Sequence, residues 1–379
     1  MKKIRVLEMI DQPFLGGGQI NLLSLARNLD REKFEVFACS REGGPLVEEI
    51  KKNDLQHFPV PFSKRIGSKI VREIKTILID NKIDILHTHG GIAGFYGRWA
   101  AWKCRTPVIV HTLHGIHYLH YRNFLLKHFF IFLERYFSRF TSAVIFVSEA
   151  DKEKGIKFKL APEEKMYIIK NGVDLSAFKE GDRLNSKSEM RKETMLESFQ
   201  PLVGTVARLH RQKGIPYLLK AAKTISQVFP RIKVLIIGGG PLQQKLARMA
   251  RRLSVSENVW FMGERKDAQY LTSLFEVFVL PSLWEGLPYV LMEASVLGKP
   301  VVATDVDGNR EIIENGKTGI LVPARNPEKM AEAVIRLLRD KDMALELGER
   351  AKASVPLKFK LSRMVEETQG LYLKLYQRI

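Results

Sequence analysis

Short runs rich in β-branched and aliphatic residues recur along the chain, and each is followed by a stretch of helical periodicity. In the first half they are IRVLEMI (4–10), FEVFACS (34–40), IDILHTH (83–89), PVIVHTLH (107–114), AVIFVS (143–148) and MYIIKNG (166–172). In the second half they are LVGTVARL (202–209), KVLIIGGG (233–240), VWFMGE (259–264), VFVLPS (277–282), PVVATDV (300–306) and GILVP (319–323). Near-continuous apolar runs alternating with helices predict parallel strands buried on both faces. With six runs on each side of a polar stretch, the pattern predicts an α/β architecture of two Rossmann-like, doubly wound domains facing each other across a cleft. A chain of 379 residues also exceeds what one core usually serves. The expected division is a first domain over 1–172, a linker with a loose helix over 173–200 and a second domain over 201–357. The segment 358–379 holds an amphipathic helix, LSRMVEETQGLYLKLYQRI, expected to pack back on the first domain.

Ligands of such sheets bind outside the carboxyl ends of the strands, so the polar residues after each run are the candidates for chemistry. In PSLWEGLPYVLMEASVLGKPVV (281–302) two carboxylates, Glu285 and Glu293, interrupt an apolar segment. A buried, unpaired charge costs several kcal/mol, so something polar must meet them. Pro288 suits the first turn of a helix. This places Glu285 in the strand-to-helix loop and Glu293 within the helix, with free amides around Gly286, Leu287, Tyr289 and Val290. In GTVARLHRQKG, Arg208 is expected to end a strand and Lys213 to open the next helix. Planar guanidinium and point-charge ammonium together suit a diphosphate at a helix N-terminus. A ligand with hydroxyls at both ends and phosphates between, a sugar nucleotide, fits the layout.

Gly16, Gly17 and Gly18 lie between the first strand and its helix, and IIGGGPL (236–242) repeats the device, with Pro241 expected to start the helix. Glycines let backbone approach a phosphate closely. The pattern is not GxGxxG, and no acidic residue ends the second strand, which argues against a dinucleotide site. Six of nine histidines, at 87, 89, 111, 114, 117 and 120, fall in one region. His114 follows a strand end and is expected at the cleft mouth. A metal cluster is disfavoured because these side chains are read as alternating between faces of their strands. Asp305-Val-Asp307, a formal DxD, is read as a loop.

The formal charge is +19. Residues 61–140 carry 13 Lys/Arg against 4 Asp/Glu, a net +9, and the whole of residues 1–200 carries the same +9. Such a window attracts nucleic acid, anionic lipid or a phosphorylated substrate. It contains YRNFLLKHFFIFLERYFSRF (121–140), which reads either as a helix packed into the first domain or as a basic, aromatic face resting on an anionic membrane. No run is long and apolar enough to span a bilayer, and Arg5 and Glu8 interrupt any secretory apolar region, so a cytoplasmic or peripheral location is expected. Cys39 and Cys104 have no metal or redox spacing and are expected to be buried thiols.

The E-x7-E segment from Glu285 to Glu293, the G-x-x-x-R-L-x-x-x-K-G pattern from Gly204 to Gly214, the NGVD run at 171–174 and the glycine loop at 16–18 resemble, in order and spacing, the retaining glycosyltransferases of family 4, which have the GT-B fold. The resemblance covers essentially the whole chain. It implies that Arg208 and Lys213 bind the donor diphosphate and stabilise the leaving nucleotide, that Glu293 holds the ribose hydroxyls and that Glu285 contacts the donor sugar. It also implies that the amides after Glu285 and those of Gly16 to Gly18 line the phosphates, and that His114 stands beside the sugar and acceptor. The base would lie near Gly239 and the backbone at Glu264 and Arg265, and Asn171 and Gly172 would form the hinge. Gln19 stands where the family often has Glu, and Asp307-Gly-Asn-Arg-Glu311 replaces its GG-x-x-E; Glu311 is given no role.

The implied activity is metal-independent transfer of a hexosyl group, with retention, from a UDP- or GDP-linked sugar to a saccharide or lipid-linked acceptor, in polysaccharide, lipopolysaccharide or glycolipid synthesis. No cofactor is expected besides the nucleotide-sugar donor. A glycosidase would need neither phosphate cations nor glycine loops. A sugar-nucleotide epimerase of the same architecture is the alternative enzyme. A nucleic-acid-binding module would leave the glutamates, Arg208 and Lys213 unexplained.

Overall fold

The computed structural model describes residues 2–62, 67–178 and 201–378. They form two compact units, one of residues 1–172 and 361–379 and the other of residues 173–360. The first holds a seven-stranded sheet, the second a six-stranded one. The expected loose helix of the 175–200 stretch lies, beyond a short turn at Leu175–Phe178, outside the described residues.

The first sheet contains β1 (Ile4–Ile10), β2 (Phe34–Ser40), β3 (Gln56–Pro59), β4 (Ile85–His89), β5 (Val108–Leu113), β6 (Ala143–Phe146) and β7 (Met166–Ile168). Their order is β3-β2-β1-β4-β5-β6-β7, all parallel. The second contains β8 (Leu202–Val206), β9 (Lys233–Ile237), β10 (Val259–Gly263), β11 (Val277–Leu280), β12 (Val301–Thr304) and β13 (Ile320–Val322), in the order β10-β9-β8-β11-β12-β13. Six strands were expected in the first half; β3 is the seventh. It is a four-residue edge strand, half-exposed and ending at Pro59, so it has neither the apolar run nor the β-branched content of a central strand.

In both sheets the strand order reverses at one point, between β1 and β4 and between β8 and β11. Loops leaving the two strands there diverge to opposite faces and open a crevice, the usual ligand position in such sheets.

The helix Leu361–Tyr376 belongs to the first unit and buries Met364, Val365, Leu371, Tyr372 and Leu375 in the core formed with β1, β2 and the helix Gly17–Asn28. Cys39 is buried, but Cys104 is only partly so; both thiols are free. The aromatic segment forms a helix over Phe124–Ser138 that buries only Ile131, Glu134, Phe137 and Ser138. The bidentate pair Arg98–Glu134, at 2.6 and 3.1 Å, ties its inner face to the helix Gly91–Cys104. Its outer face leaves Phe124, Leu125 and Phe132 at 69%, 77% and 61% exposure, so the fully core-packed reading of this segment does not hold.

Candidate active site

In the second unit, β8 stops at Val206, so Arg208 lies past the strand on an exposed turn. Lys213 closes the 3-10 turn Arg211–Lys213 rather than opening the following helix, which begins at Ile215. Gly214 between them has φ 62, and a Cβ there would sit 1.9 Å from the carbonyl oxygen of Pro281. The glycine therefore allows the loop after β8 to press against the loop after β11, and the contact is sealed by Leu283 N donating to Gln212 O at 2.7 Å.

That contact answers what meets Glu285. Its carboxylate is buried and accepts from Lys213 Nζ at 2.6 Å, from Ser282 Oγ at 2.5 Å and from Gln212 Nε2 at 3.3 Å. Lys213 and Glu285 thus form one ion pair across the reversal point of the sheet. A buried charge is tolerable only when paired and hydrogen-bonded in this manner. Ser282 and Gln212 were not singled out from sequence, although Gln212 adjoins Lys213 and Ser282 lies three residues before Glu285.

The helix after β11 runs Tyr289–Val296, and Pro288 occupies its cap position, one residue earlier than the first turn where the sequence placed it. Gly286 is approached closely: a Cβ on Gly308 would fall 1.6 Å from the Gly286 carbonyl oxygen. The loop reading of TDVDG holds for Asp305 and Val306, but Asp307 and Gly308 open a short helix over residues 307–312, and Asp305 is engaged by the guanidinium of Arg310 instead of standing open to a cation. Leu287 and Tyr289 are buried and Val290 half-buried. Glu293 lies half-buried in the helix and accepts from Gln269 Nε2 at 3.3 Å; burial raises its carboxyl pKa, and the hydrogen bond from Gln269 offsets part of that. Gly239 and Glu264 do meet: a Cβ on Gly239 would be 3.0 Å from Glu264 Oε1. Pro241 precedes the helix Gln243–Arg252 by two residues instead of starting it, and Arg265 is paired with Asp267 at 2.7 Å.

In the first unit, Gly16 caps the helix Gly17–Asn28, so Gly17 and Gly18 form its first turn, where amides have no intrahelical acceptor. Gly18 also makes room for a ring, since its Cβ would be 3.2 Å from His114 Cδ2. His114 follows β5 directly. Asn171 accepts from Asn21 at 3.0 Å, and Gly172 N–H points at Met364 Sδ at 3.3 Å, which fixes the last residues of this unit.

The histidines divide between two faces: His111, whose Nδ1 meets Thr88 Oγ1 at 2.9 Å, lies on one, and His87 and His89 on the other. His87 and His89 are two residues apart in β4 and point the same way, their rings 4.1 Å apart. Beside them in β1, opposite His87, stands Glu8, fully buried. Glu8 accepts from His89 Nε2 at 2.7 Å and from the Tyr372 hydroxyl at 2.8 Å. His87 Nδ1 reaches Tyr372 Oη at 2.5 Å, and its Nε2 meets Thr112 Oγ1 at 2.7 Å. His89 Nδ1 meets His114 Nε2 at 2.9 Å. Glu8, His87 and His89 are close enough to share a cation. However, Glu8 and His89 are in direct hydrogen-bond contact, and ligands around one zinc ion stand farther apart than that.

Burial works to raise the Glu8 carboxyl, but His87 and His89 outweigh it and hold it below the usual carboxylate range. Burial and neighbouring His87 pull His89 down to about 4, and burial likewise keeps His114 neutral. Glu8 and Tyr372 were missed in the sequence. The signal was present: Glu8 interrupts the apolar run IRVLEMI just as Glu285 interrupts its own segment.

Comparison with known proteins gives the family and the fold. The chain matches the family model Glycosyltransferase Family 4 over residues 15–177 and Glycosyl transferases group 1 over residues 186–354. It is 27% identical over 380 residues to the UDP-Gal:alpha-D-GlcNAc-diphosphoundecaprenol alpha-1,3-galactosyltransferase of Escherichia coli, covering 98% of this chain and 97% of that one. It is 27% identical to the capsular polysaccharide biosynthesis glycosyltransferase CapM of Staphylococcus aureus, with 91% of each covered. Among solved structures, Anabaena HepE in complex with UDP-glucose superposes with a TM-score of 0.86 at 20% identity, covering 98% of this chain and 100% of that one. WaaG, a glycosyltransferase involved in lipopolysaccharide biosynthesis, gives a TM-score of 0.76 at 16% identity over 97% and 99% of the two chains. The fold is GT-B, and the chain belongs to the family 4 glycosyltransferases, a retaining family that uses nucleotide sugars.

Proposed function

We propose that the protein transfers a hexosyl group from a UDP-linked sugar, with retention and without a metal, to a hydroxyl of a lipid-linked saccharide in cell-envelope polysaccharide synthesis. The observation that carries this reading is the Lys213–Glu285 pair at the β8/β11 reversal, flanked by Arg208 and by the N-terminus of the helix bearing Glu293. Cations and helix amides gathered at one strand edge suit a pyrophosphate. The Arg208 and Lys213 cations meet the charge that develops on the departing nucleotide. Glu293 binds the ribose hydroxyls, Glu285 the donor sugar, and the backbone at Gly239, Glu264 and Arg265 the base. The amides of Gly286, Leu287, Tyr289 and Val290 and of Gly16, Gly17 and Gly18 line the phosphates, and His114 meets a sugar hydroxyl. Asn171 and Gly172 act as the hinge. UDP is favoured because the Escherichia coli relative is named for UDP-Gal and HepE was crystallised with UDP-glucose.

The acceptor side rests on the Phe124–Ser138 helix. Its outer face carries Phe124, Leu125, Phe129 and Phe132, with Arg122 and Arg139 beside them, and none of the described helices is long and apolar enough to cross a membrane. An exposed apolar face rimmed by cations suits the surface of an anionic bilayer, where a lipid-linked acceptor resides.

Calorimetric titration with UDP, GDP and ADP tests the donor; UDP is expected to bind at least tenfold more tightly than the others. Radiolabelled transfer from UDP-hexoses to a polyprenyl-diphosphate saccharide tests the acceptor, and turnover is expected to persist in EDTA. Release of epimerised sugar with no acceptor present would instead make the protein an epimerase. Vesicle sedimentation is expected to show salt-sensitive binding to anionic, and not neutral, bilayers.

A further inference from the structure

The proton arrangement of the buried network in the first unit can be worked out from its ends. An ionised carboxylate only accepts hydrogen bonds, and Glu8 is ionised. His89 Nε2, 2.7 Å away, must therefore carry a proton, and Tyr372, which burial and Glu8 keep protonated, must donate its own. A neutral imidazole protonated on Nε2 is an acceptor on Nδ1. His89 is neutral, so its Nδ1 accepts, and the partner at 2.9 Å, His114 Nε2, must be the donor. His114 is neutral as well, which leaves its Nδ1 as a bare lone pair. That atom is buried and has no hydrogen-bond partner among the described residues. In the other branch the single Tyr372 proton goes to Glu8, so His87 Nδ1 donates to Tyr372 Oη, while His87 Nε2 stands 2.7 Å from the Thr112 hydroxyl, which can serve as donor or acceptor.

We infer that Glu8 is a positioning residue which, through His89, locks His114 in the tautomer whose free Nδ1 accepts a hydrogen bond, so that this site reads a hydroxyl and rejects an anion. The inference rests on the reading of the protein as a sugar-transferring enzyme only for the identity of the hydroxyl. The tautomer itself follows from the network. A phosphate or carboxylate oxygen, offering a lone pair to a lone pair, is repelled at Nδ1; a sugar O–H is bound. The nearly parallel rings of His89 and His114, 5.2 Å apart with planes at 15°, and the missing side chain at Gly18 hold the imidazole in register for this. Tyr372 brings the C-terminal helix into the same network, so the last turns of the chain contribute to setting the tautomer.

Nitrogen-15 NMR of the histidine-labelled full chain reads the tautomer directly, with His114→Gln used to assign the signal. At neutral pH His114 is expected to show a protonated Nε2 and a bare Nδ1. A protonated Nδ1, or an imidazolium, overturns the inference whatever the protein's substrate is. Two variants then test the relay. His89→Asn places an amide oxygen near the position of the lost Nδ1, so it is expected to keep the His114 tautomer and at least a third of wild-type kcat/KM. His89→Leu removes the acceptor and is expected to mix the two tautomers and lower kcat/KM about tenfold or more. Equal tautomer populations and equal rates in the two variants would also overturn it. If the NMR result holds while no sugar transfer is found with any donor, the relay stands and the enzymatic reading fails.

Discussion

At the strand-order reversal of the first unit a buried carboxylate, Glu8, is met by imidazole and phenol donors that stay neutral; at that of the second a buried carboxylate, Glu285, is met by an ammonium. Both lie beside the point where the strand order of their sheet reverses. One topology therefore carries two chemistries. The neutral network fixes where protons sit and suits recognition of uncharged hydroxyls, while the ion pair and its neighbouring cations suit a charged diphosphate. The difference also gives the first unit its own response to acid, because a network of suppressed histidines stores pH dependence.

The largest expected effect follows from that. The folded pKa of His89 is depressed to about 4 from 6.5, and those of His111 and His114 are also pulled down by burial. As pH falls from 6.5 toward 4 the unfolded chain binds these protons first, so stability present at neutral pH is lost across that window. Glu8, held below the ordinary 4.5, adds a further loss as pH falls below that value. Glu293 has the opposite sign: its raised pKa makes the folded form take up a proton first, so acid favours its unit. Hydrogen exchange, corrected for intrinsic rates and compared between pH 7 and pH 5, is expected to show protection falling first in the first unit. Equal loss in both units would break the contrast.

Next comes a comparison of two buried ion pairs. Arg98–Glu134 is shut away beneath the aromatic helix, with both side chains under 10% exposed, and serves to hold that helix. Arg98→Ala strands a buried carboxylate and is expected to cost about 3–5 kcal/mol, seen as a lower melting temperature. Arg98→Met with Glu134→Leu is expected to recover most of it. At the other pair the loss should appear in turnover. Lys213→Ala and Arg208→Ala are each expected to lower kcat by about 10²–10³, or some 2–4 kcal/mol. Only Lys213→Ala should also lower the melting temperature, since it leaves Glu285 without its cation whereas Arg208 is exposed. Near-native transfer by both variants would remove the diphosphate role.

The apolar runs located twelve of the thirteen strands among the described residues because a parallel strand covered on both faces is apolar along most of its length. Strand β3 escaped because an edge strand needs no such run. In the second unit the meeting of Lys213 with Glu285 was legible because the candidate residues cluster in two short segments after neighbouring strands, at Arg208–Lys213 and Glu285–Glu293. The network of the first unit was not, since Glu8, His89, His114 and Tyr372 come from residues 8 to 372 and meet only through the pairing of β1 with β4 and the return of the last helix. A one-dimensional pattern shows that Glu8 is anomalous in its strand; it does not show which donors come to it. The His87/His89 pair was misread for a simpler reason: residues two apart in a strand share a face.

The smallest effect separates the two glutamates of the second unit. Glu285 has three donors, so Glu285→Gln forfeits a charged contact with Lys213 and should destabilise the fold. Glu293 accepts from Gln269 Nε2 at 3.3 Å, and burial works against its charge. Glu293→Gln keeps the shape and removes the desolvated charge, so the melting temperature is expected to hold or rise slightly. A hydrogen bond from ribose to a carboxylate is worth about 1.5–3 kcal/mol, so UDP affinity is expected to fall ten- to a hundredfold in the same variant. Calorimetry with UDP, set beside thermal melting, reads both quantities. Stability rising while affinity falls is the signature of a carboxylate kept for a ligand at the expense of the fold. A lower melting temperature with unchanged affinity would make Glu293 a structural residue, and would leave the ribose to be held elsewhere on the strand edge.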